Sequence, residues 1–454
     1  MRAPRAAAVK TARQFLRAAL LRTLLAALAA TAPPSRAACG IEPRADDPGA
    51  AADRDSARRT LRELIDRARE RSRAIGAGRL LAQAAQSDLE DVQAAARPQS
   101  TLKLGAGWAG SNATAVDTRN GLQASAGLRL GAPLWDGGRI GFLGDWRRRL
   151  LDAAQLGVGE TEEQVALQTV SLALERSRQA AQARVFSQYA AQMQCLVGSL
   201  QDIVAADRGR ASELAQARNA LGQALLQAEQ SVAAMRQAEI GLVRLAGAPL
   251  PQQLDLAGAL APPPAPASVL ADAARGRAIL QLDAQAQALE SYAQAQAAAQ
   301  GPQLSWGVTL AKTLGSGNPA AWAAGVSLDL PLLNPGGDPS VSAARERAAA
   351  ARMQRDDALE SLRQRIAEHA EQLDAARARA QRVDGMLADS ERVRDATWLQ
   401  WQQFGRRSLF DVMSAEGDLY GLRAARTNAL HDAQQAAAQI WSQGPGVAGA
   451  LDGH

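Results

Sequence analysis

Leu304-Ser305-Trp306-Gly307-Val308-Thr309-Leu310 alternates apolar with small or polar residues, and Trp322-Ala323-Ala324-Gly325-Val326-Ser327-Leu328-Asp329-Leu330 resumes the alternation after the turn Gly315-Ser316-Gly317-Asn318-Pro319. A period of two on both sides of a polar turn predicts a β-hairpin. The same figure stands earlier in the chain: Leu102, Leu104, Ala106 and Trp108, then Leu122, Ala124, Ala126, Leu128 and Leu130, around a polar stretch from Ser111 to Asn120. Each strand is about ten residues long, the length a tilted strand needs to cross a bilayer.

What surrounds the hairpins is helical and also occurs twice. Arg97-Pro98 and Gly301-Pro302 stop the preceding helices at about Ala96 and Ala299, because proline cannot extend a helix. Pro133-Leu134-Trp135-Asp136-Gly137-Gly138 and Pro331-Leu332-Leu333-Asn334-Pro335-Gly336-Gly337 lead out of the strands. Long proline-free stretches follow, each predicted to form a rod on the order of 100 Å at about 1.5 Å per residue. They end at Gly209-Arg210-Ala211-Ser212-Glu213-Leu214 and Gly405-Arg406-Arg407-Ser408-Leu409, where a left-handed glycine and a capping serine would turn one helix into an antiparallel neighbour. The prolines before the first strands lie 204 residues apart, those after the second strands 198, and the turn glycines 196. Ordered landmarks at nearly constant offset mean an internal duplication.

The expected organisation is a signal peptide over 1–37, a first repeat over 38–248 with its hairpin at 98–132, and a proline-rich linker over 249–266. A second repeat covers 267–446 with its hairpin at 302–331, and 447–454 would be a flexible tail. Aromatic residues are 4% of the 454, and alanine is abundant, which suits long helices packed through small side chains. Along the second long helix, Leu359, Ile366, Leu373, Ala380 and Leu387 fall seven apart, as do Leu362, His369, Ala376 and Val383, marking a coiled-coil seam.

Residues 1–37 carry seven basic residues and no acid, followed by a short apolar stretch and Ser35-Arg36-Ala37, the pattern of an export signal. Without them the formal charge of +5 becomes 44 basic against 46 acidic residues, which gives a nucleic-acid partner no support. The two cysteines, Cys39 and Cys195, make no disulfide framework. Cys39 near the cleavage site is a weak candidate for acylation, since Arg36 stands where a lipoprotein signal wants an apolar residue. No phosphate loop, nucleophile elbow or metal-spaced cluster occurs. His369, His431 and His454 are dispersed, so no catalytic residue, cofactor or metal is expected. Trp108, Trp306 and Trp322 fit an aromatic girdle.

Two hairpins give four strands, fewer than the eight of the smallest membrane barrels, and an open edge in lipid leaves costly unpaired backbone groups. Other copies must therefore complete any barrel. The hairpins, their Gly-Gly exits, the paired Gly-Arg-x-Ser turns and Asp411-Val412-Met413 with Asp418-Leu419-Tyr420 resemble the TolC family of outer-membrane efflux proteins over essentially the whole mature chain. The resemblance implies a mainly α fold with membrane β structure: a homotrimer sharing a twelve-stranded β-barrel, four strands per chain, continued by a helical tunnel across the periplasm. It implies a periplasmic adaptor, an inner-membrane ABC exporter or proton-driven pump, and contact with outer-membrane lipid.

The same resemblance places a periplasmic constriction at Asp411, Ser414 and Arg407. Asp411 falls on the first of two family aspartates, and Ser414 replaces the second. Arg407 falls on a latch arginine whose usual partners align with Ala215 and Gln402, leaving Glu213 as a substitute. Adaptor docking is expected at Gly209, Arg210, Ser212, Leu214, Gly405, Arg406, Ser408 and Leu409. Export of protein by a type I system, which the Asp207–Leu214 turn resembles, competes with small-molecule efflux. A non-channel coiled-coil scaffold of the cell envelope is the alternative class.

Overall fold

The computed structural model describes residues 50–112, 118–251, 254–314, 320–404 and 407–452. The export signal, Cys39, Gly405, Arg406 and His454 lie outside these residues. Helices α1 (Ala50–Arg71) and α2 (Arg73–Ala94) lead into strands β1 (Gln99–Asn112) and β2 (Thr118–Trp135). The 68-residue helix α3 (Arg139–Ala206) and its return α4 (Ala211–Ala246) complete the first half. The second half repeats the order with α5 (Pro266–Asp272), α6 (Arg277–Ala298), β3 (Gln303–Leu314), β4 (Ala321–Asp329), the 68-residue α7 (Gly337–Phe404) and α8 (Leu409–Ser442). A short α9 (Gly449–Asp452) ends the described chain.

Two helices expected to be continuous are broken. Extended Ser72 separates α1 from α2, its hydroxyl accepting from the Ile75 amide at 3.3 Å. Extended Gly276 precedes α6 after a 3-10 turn at Ala273–Arg275. The two breaks stand 204 residues apart, as Pro98 and Pro302 do. They are a further landmark of the duplication, silent in a hydrophobic pattern because a local cap makes them. Asp136 starts α3 by accepting from the Gly138 and Ile140 amides at 3.0 and 2.7 Å, with Gly137 and Gly138 in left-handed conformation (φ 65° and 84°).

Near the strands the helices lie in the order α2, α3, α6, α7, and at the far end in the order α4, α3, α8, α7. One flank is therefore formed by α2 and α4, the other by α7. Alanine fills much of the contact: Ala376, Ala433, Ala436 and Ala437 pack with Leu362, Ile366, Leu373 and Ile440 between α7 and α8, on the predicted heptad seam. The expected flexible pieces belong to a core instead. Leu250, Leu254, Leu256 and Leu260 of the supposed linker, with Val447, Ala450 and Leu451 of the supposed tail, pack against Leu61, Leu64 and Ile65 of α1 and against α3. The Ala261 amide donates to the Ala450 carbonyl at 3.0 Å, and the Val447 amide to Glu163 at 2.6 Å. Proline restricts chain direction without forcing exposure, so an apolar, proline-bracketed segment can wrap the middle of the rod.

The strands form one antiparallel sheet in the order β1-β2-β3-β4, so the two hairpins pair directly through β2 and β3 and leave β1 and β4 as open edges. The register aligns like with like. Leu102, Leu128, Leu310 and Trp322 make one cross-strand row, and Trp306 stands between Ala132 and Val326 on the same face. The opposite face carries Thr101, Arg129, Thr309 and Ala323 in a row, and Gly131, Gly307 and Gly325 in another. Trp108 and Trp322 are 78% and 76% exposed on the apolar face.

Candidate functional site

The far ends of the two helical hairpins hold most of the predicted functional residues, and the two turns are built differently. Gly209 does not adopt the left-handed conformation expected of it. Asp207 makes the first turn, its carboxylate accepting from the Gly209 amide at 2.9 Å over a 3-10 turn at Arg208–Arg210. Ser212 therefore lies inside α4 and caps nothing. An aspartate just before the turn does locally what a left-handed glycine would otherwise do. At the second turn Ser408 is the helix cap. Its hydroxyl accepts from the Asp411 amide at 3.2 Å, while Asp411 accepts from the Ser408 amide at 3.1 Å, a reciprocal capping box.

Leu214 and Leu409 were placed by sequence among the docking residues, but both are buried. They join Met193, Leu196, Val197, Leu200, Ala217, Trp398 and Val412 in a core that binds the two hairpin tips together. What the tips expose is Gly209, Ser212, Arg407, Ser408 and Phe410, the last 67% exposed and not singled out from sequence. Arg210 and Glu213 form a two-pronged ion pair, with 2.7 Å between Nη2 and Oε2. Within one chain Glu213 does not meet Arg407, whose guanidinium donates to Gln400 at 3.1 Å and lies 4.0 Å from Asp411. Ala215, Gln402 and Ser414 are exposed. Among the described residues of one chain, Arg407 meets only its own hairpin.

Between the hairpins the contact is polar. Along α3 and α8, Gln435 donates to Ser171 at 2.7 Å, Arg178 lies 3.4 Å from Asp432, and Gln182 bonds Asn428. His431 Nδ1–H donates to the Thr427 carbonyl at 2.9 Å, which leaves Nε2 to accept from the Ser177 hydroxyl at 3.2 Å. That hydroxyl in turn accepts from the Leu256 amide at 3.0 Å. Burial pushes the His431 pKa below 6.5, and the Thr427 carbonyl and Asp255 only partly oppose it. The neutral ring stabilises the fold fully above that value, and the contribution is lost as pH falls below it. The wild-type melting temperature should accordingly drop from pH 7.5 to 5.5 by several degrees more than that of His431→Gln; equal slopes would show that the ring is not the titrating element.

Nearer the tips the polar seam ends in a buried carboxylate. Glu416 is fully buried on α8; its Oε1 accepts from Trp398 Nε1–H of α7 and from Gln192 of α3 at 3.3 Å, and its Oε2 has no hydrogen bond. Arg394, 7% exposed, lies near it, and Tyr189 stacks on Tyr420 with ring centroids 5.1 Å apart. Burial pushes the Glu416 carboxyl's pKa up against the pull of Trp398, Arg394 and Gln192. This group was absent from the sequence reading. The available signal was a charge at a core position: Leu409, Val412, Glu416 and Leu419 follow one helical stripe. His369, by contrast, is an ordinary rim residue near Gln372.

Duplicated halves, a four-stranded sheet at one end and two long coiled-coil hairpins at the other are shared with solved structures. Over 85% of this chain, CusC (92% of its chain) superimposes with a TM-score of 0.76 at 17% identity. VceC of Vibrio cholerae, an outer membrane protein, matches with 0.74 at 17% identity, covering 85% of this chain and 96% of its own. The MtrE outer membrane channel of Neisseria gonorrhoeae matches with 0.72 at 17% identity, covering 85% and 89%. The chain has the TolC-family fold. No protein-family profile matches it, and no curated protein is similar to it in sequence. The TolC-family likeness is carried by element order and packing, which alanine-rich helices preserve while nearly every residue changes.

Proposed function

We propose that this chain is the subunit of a trimeric outer-membrane channel-tunnel that exports protein or small molecules through an inner-membrane transporter and a periplasmic adaptor. The observation that carries the reading is the sheet: apolar side chains in register across all four strands, with both edges open. Leu104, Trp108, Leu122 and Val326 are each more than 60% exposed. Burying such a face in hydrocarbon gains about 25 cal/mol per Å², whereas open edges in lipid cost several kcal/mol per unpaired group. Pairing β4 of one copy with β1 of the next satisfies both demands, and three copies make twelve strands. The flanks agree: Leu80 and Leu81 of α2 and Leu226 and Ile240 of α4 are exposed on one side, Met353 and Val393 of α7 on the other. The similar structures named above are described as channel-forming or outer-membrane proteins.

The function is transport rather than catalysis. Nothing observed favours the envelope scaffold, which needs no membrane-length strands. Purified in mild detergent, the protein should run as a trimer with a mainly helical spectrum and open conducting pores in planar bilayers; a monomer without conductance would end the reading.

In such a trimer Asp411 would supply one carboxylate per copy near the axis at the periplasmic mouth, with Ser414 and Arg407 beside it. Because Asp411 also completes a capping box, Asp411→Asn is the informative change, keeping the acceptor for the Ser408 amide while removing the charge. It should shift the reversal potential in a KCl gradient toward chloride; an unchanged value would confine Asp411 to capping. Adaptor contact is assigned to the exposed tip residues Gly209, Ser212, Ser408 and Phe410 and the half-buried Arg210, with Gly405 and Arg406 beside them in the sequence. Cargo of a type I system remains the favoured member of the two export classes, on the resemblance of the Asp207–Leu214 turn.

A further inference from the structure

We propose that the polar face of the sheet carries an anion-binding belt made by Lys103 and Arg129. The register pairs Lys103 with Gly127 and Thr101 with Arg129, so the two cations are diagonal neighbours on one face of β1 and β2. Diagonal side chains of this kind start about 7–8 Å apart, within reach of one polyvalent ligand. The residues completing their rows are Thr309 and Ala323, and Ala311 and Ala321, none of which can neutralise them. Small residues keep the surroundings open: Gly105, Gly107, Gly127, Gly131 and Gly307 share this face. Lys103 and Arg129 line a cavity of about 570 Å³ on it, together with Gln99, Thr101, Ser305 and Thr309. The face is therefore hollowed at these residues.

Among the described residues the one carboxylate on this face is Asp329, opposite Gln303. Gln303 lies six residues down β3 from Thr309, the row of Arg129, about 20 Å at roughly 3.3 Å per residue. That exceeds the screening length of about 8 Å at physiological salt. The local field is positive and uncompensated. Two cations in reach of each other in a glycine-lined hollow suit a phosphate-rich or polycarboxylate anion, the arginine binding two oxygens at once.

This inference rests on the channel reading above, in which this face becomes the wall of the bore and three copies set six cations around it. It assigns to the sheet end an anion preference, separate from any carboxylate ring at the helical end. The test uses the full-length trimer in planar bilayers, with inositol hexakisphosphate as probe, added to each side in turn.

Micromolar probe should block current, and Lys103→Gln/Arg129→Gln should raise the half-blocking concentration at least tenfold. Arg129→Gln alone, which leaves three of the six charges, should raise it several-fold. The charge-preserving Lys103→Arg/Arg129→Lys should block as wild type does. Conducting wild-type pores that ignore the probe, or a block unchanged in the glutamine variants, would refute the belt and leave the channel intact. A wild-type protein that makes no pores would remove both.

Discussion

Leu409→Ala should loosen the ends of both helical hairpins, whereas Phe410→Ala, one residue along, should leave them firm. Leu409 is 1% exposed and touches the core formed with Met193, Leu196, Leu200, Leu214 and Trp398, drawn from α3, α4 and α7. Removing a buried leucine side chain costs about 2–5 kcal/mol, the upper end where the surroundings cannot collapse. Here collapse is resisted by three rods held in place over their whole length. Hydrogen exchange at the tip peptides of α3 and α4 should therefore quicken by two orders of magnitude or more in Leu409→Ala, with exchange near the strands unchanged. Phe410, 67% exposed, should change neither, and under the proposed function its loss should appear only as weaker export. Comparable loosening in both variants would mean that the tip core is not what joins the hairpins.

The second large effect belongs to Glu416. Glu416→Ala leaves Trp398 Nε1–H and the Gln192 amide without their acceptor and removes the carboxylate near the buried Arg394, which among the described residues keeps only Asp395, and breaking a buried charged cluster on one side costs about 3–5 kcal/mol. The hairpins should separate at the α3–α8 seam, read as rapid protease cleavage there in an otherwise folded protein. Burial raises this carboxyl's pKa from its usual 4.5, so the folded protein holds the proton more tightly than the unfolded chain. Its contribution to stability therefore grows as pH falls through the raised value, and is complete below 4.5. Acidifying from pH 7.5 to 5 should slow tip exchange in the wild type relative to Glu416→Gln, which has no proton to take up. Parallel pH profiles would place the responsible charge elsewhere.

The elements that long-range pattern controls were legible. Strand alternation at Leu304–Leu310 and Leu102–Trp108, the prolines before them and the heptads at Leu359–Leu387 all reappear where they were expected. What escaped is short-range or depends on three dimensions. Asp207 rather than Gly209 shapes the first turn because one side-chain hydrogen bond outweighs a glycine's freedom. Ser72 and Gly276 break helices whose apolar spacing runs on unperturbed. Leu214 and Leu409 resembled surface because they adjoin a turn, yet two hairpins packed side by side at their tips bury them. Glu416 read as one charge among many, since the sequence does not say that α3 and α7 close over it.

The two unpaired margins of the sheet also have a kinetic meaning. Every helical contact described here is made within one polypeptide, so the rods can form at a rate indifferent to how much protein is present. In the proposed trimer, closing the sheet would be a meeting between molecules, slower as they become scarce. Under the proposed assembly, a new copy would be a folded stalk bearing an unfinished, oil-loving ribbon, and its survival would depend on reaching siblings and lipid before the ribbons find one another in water.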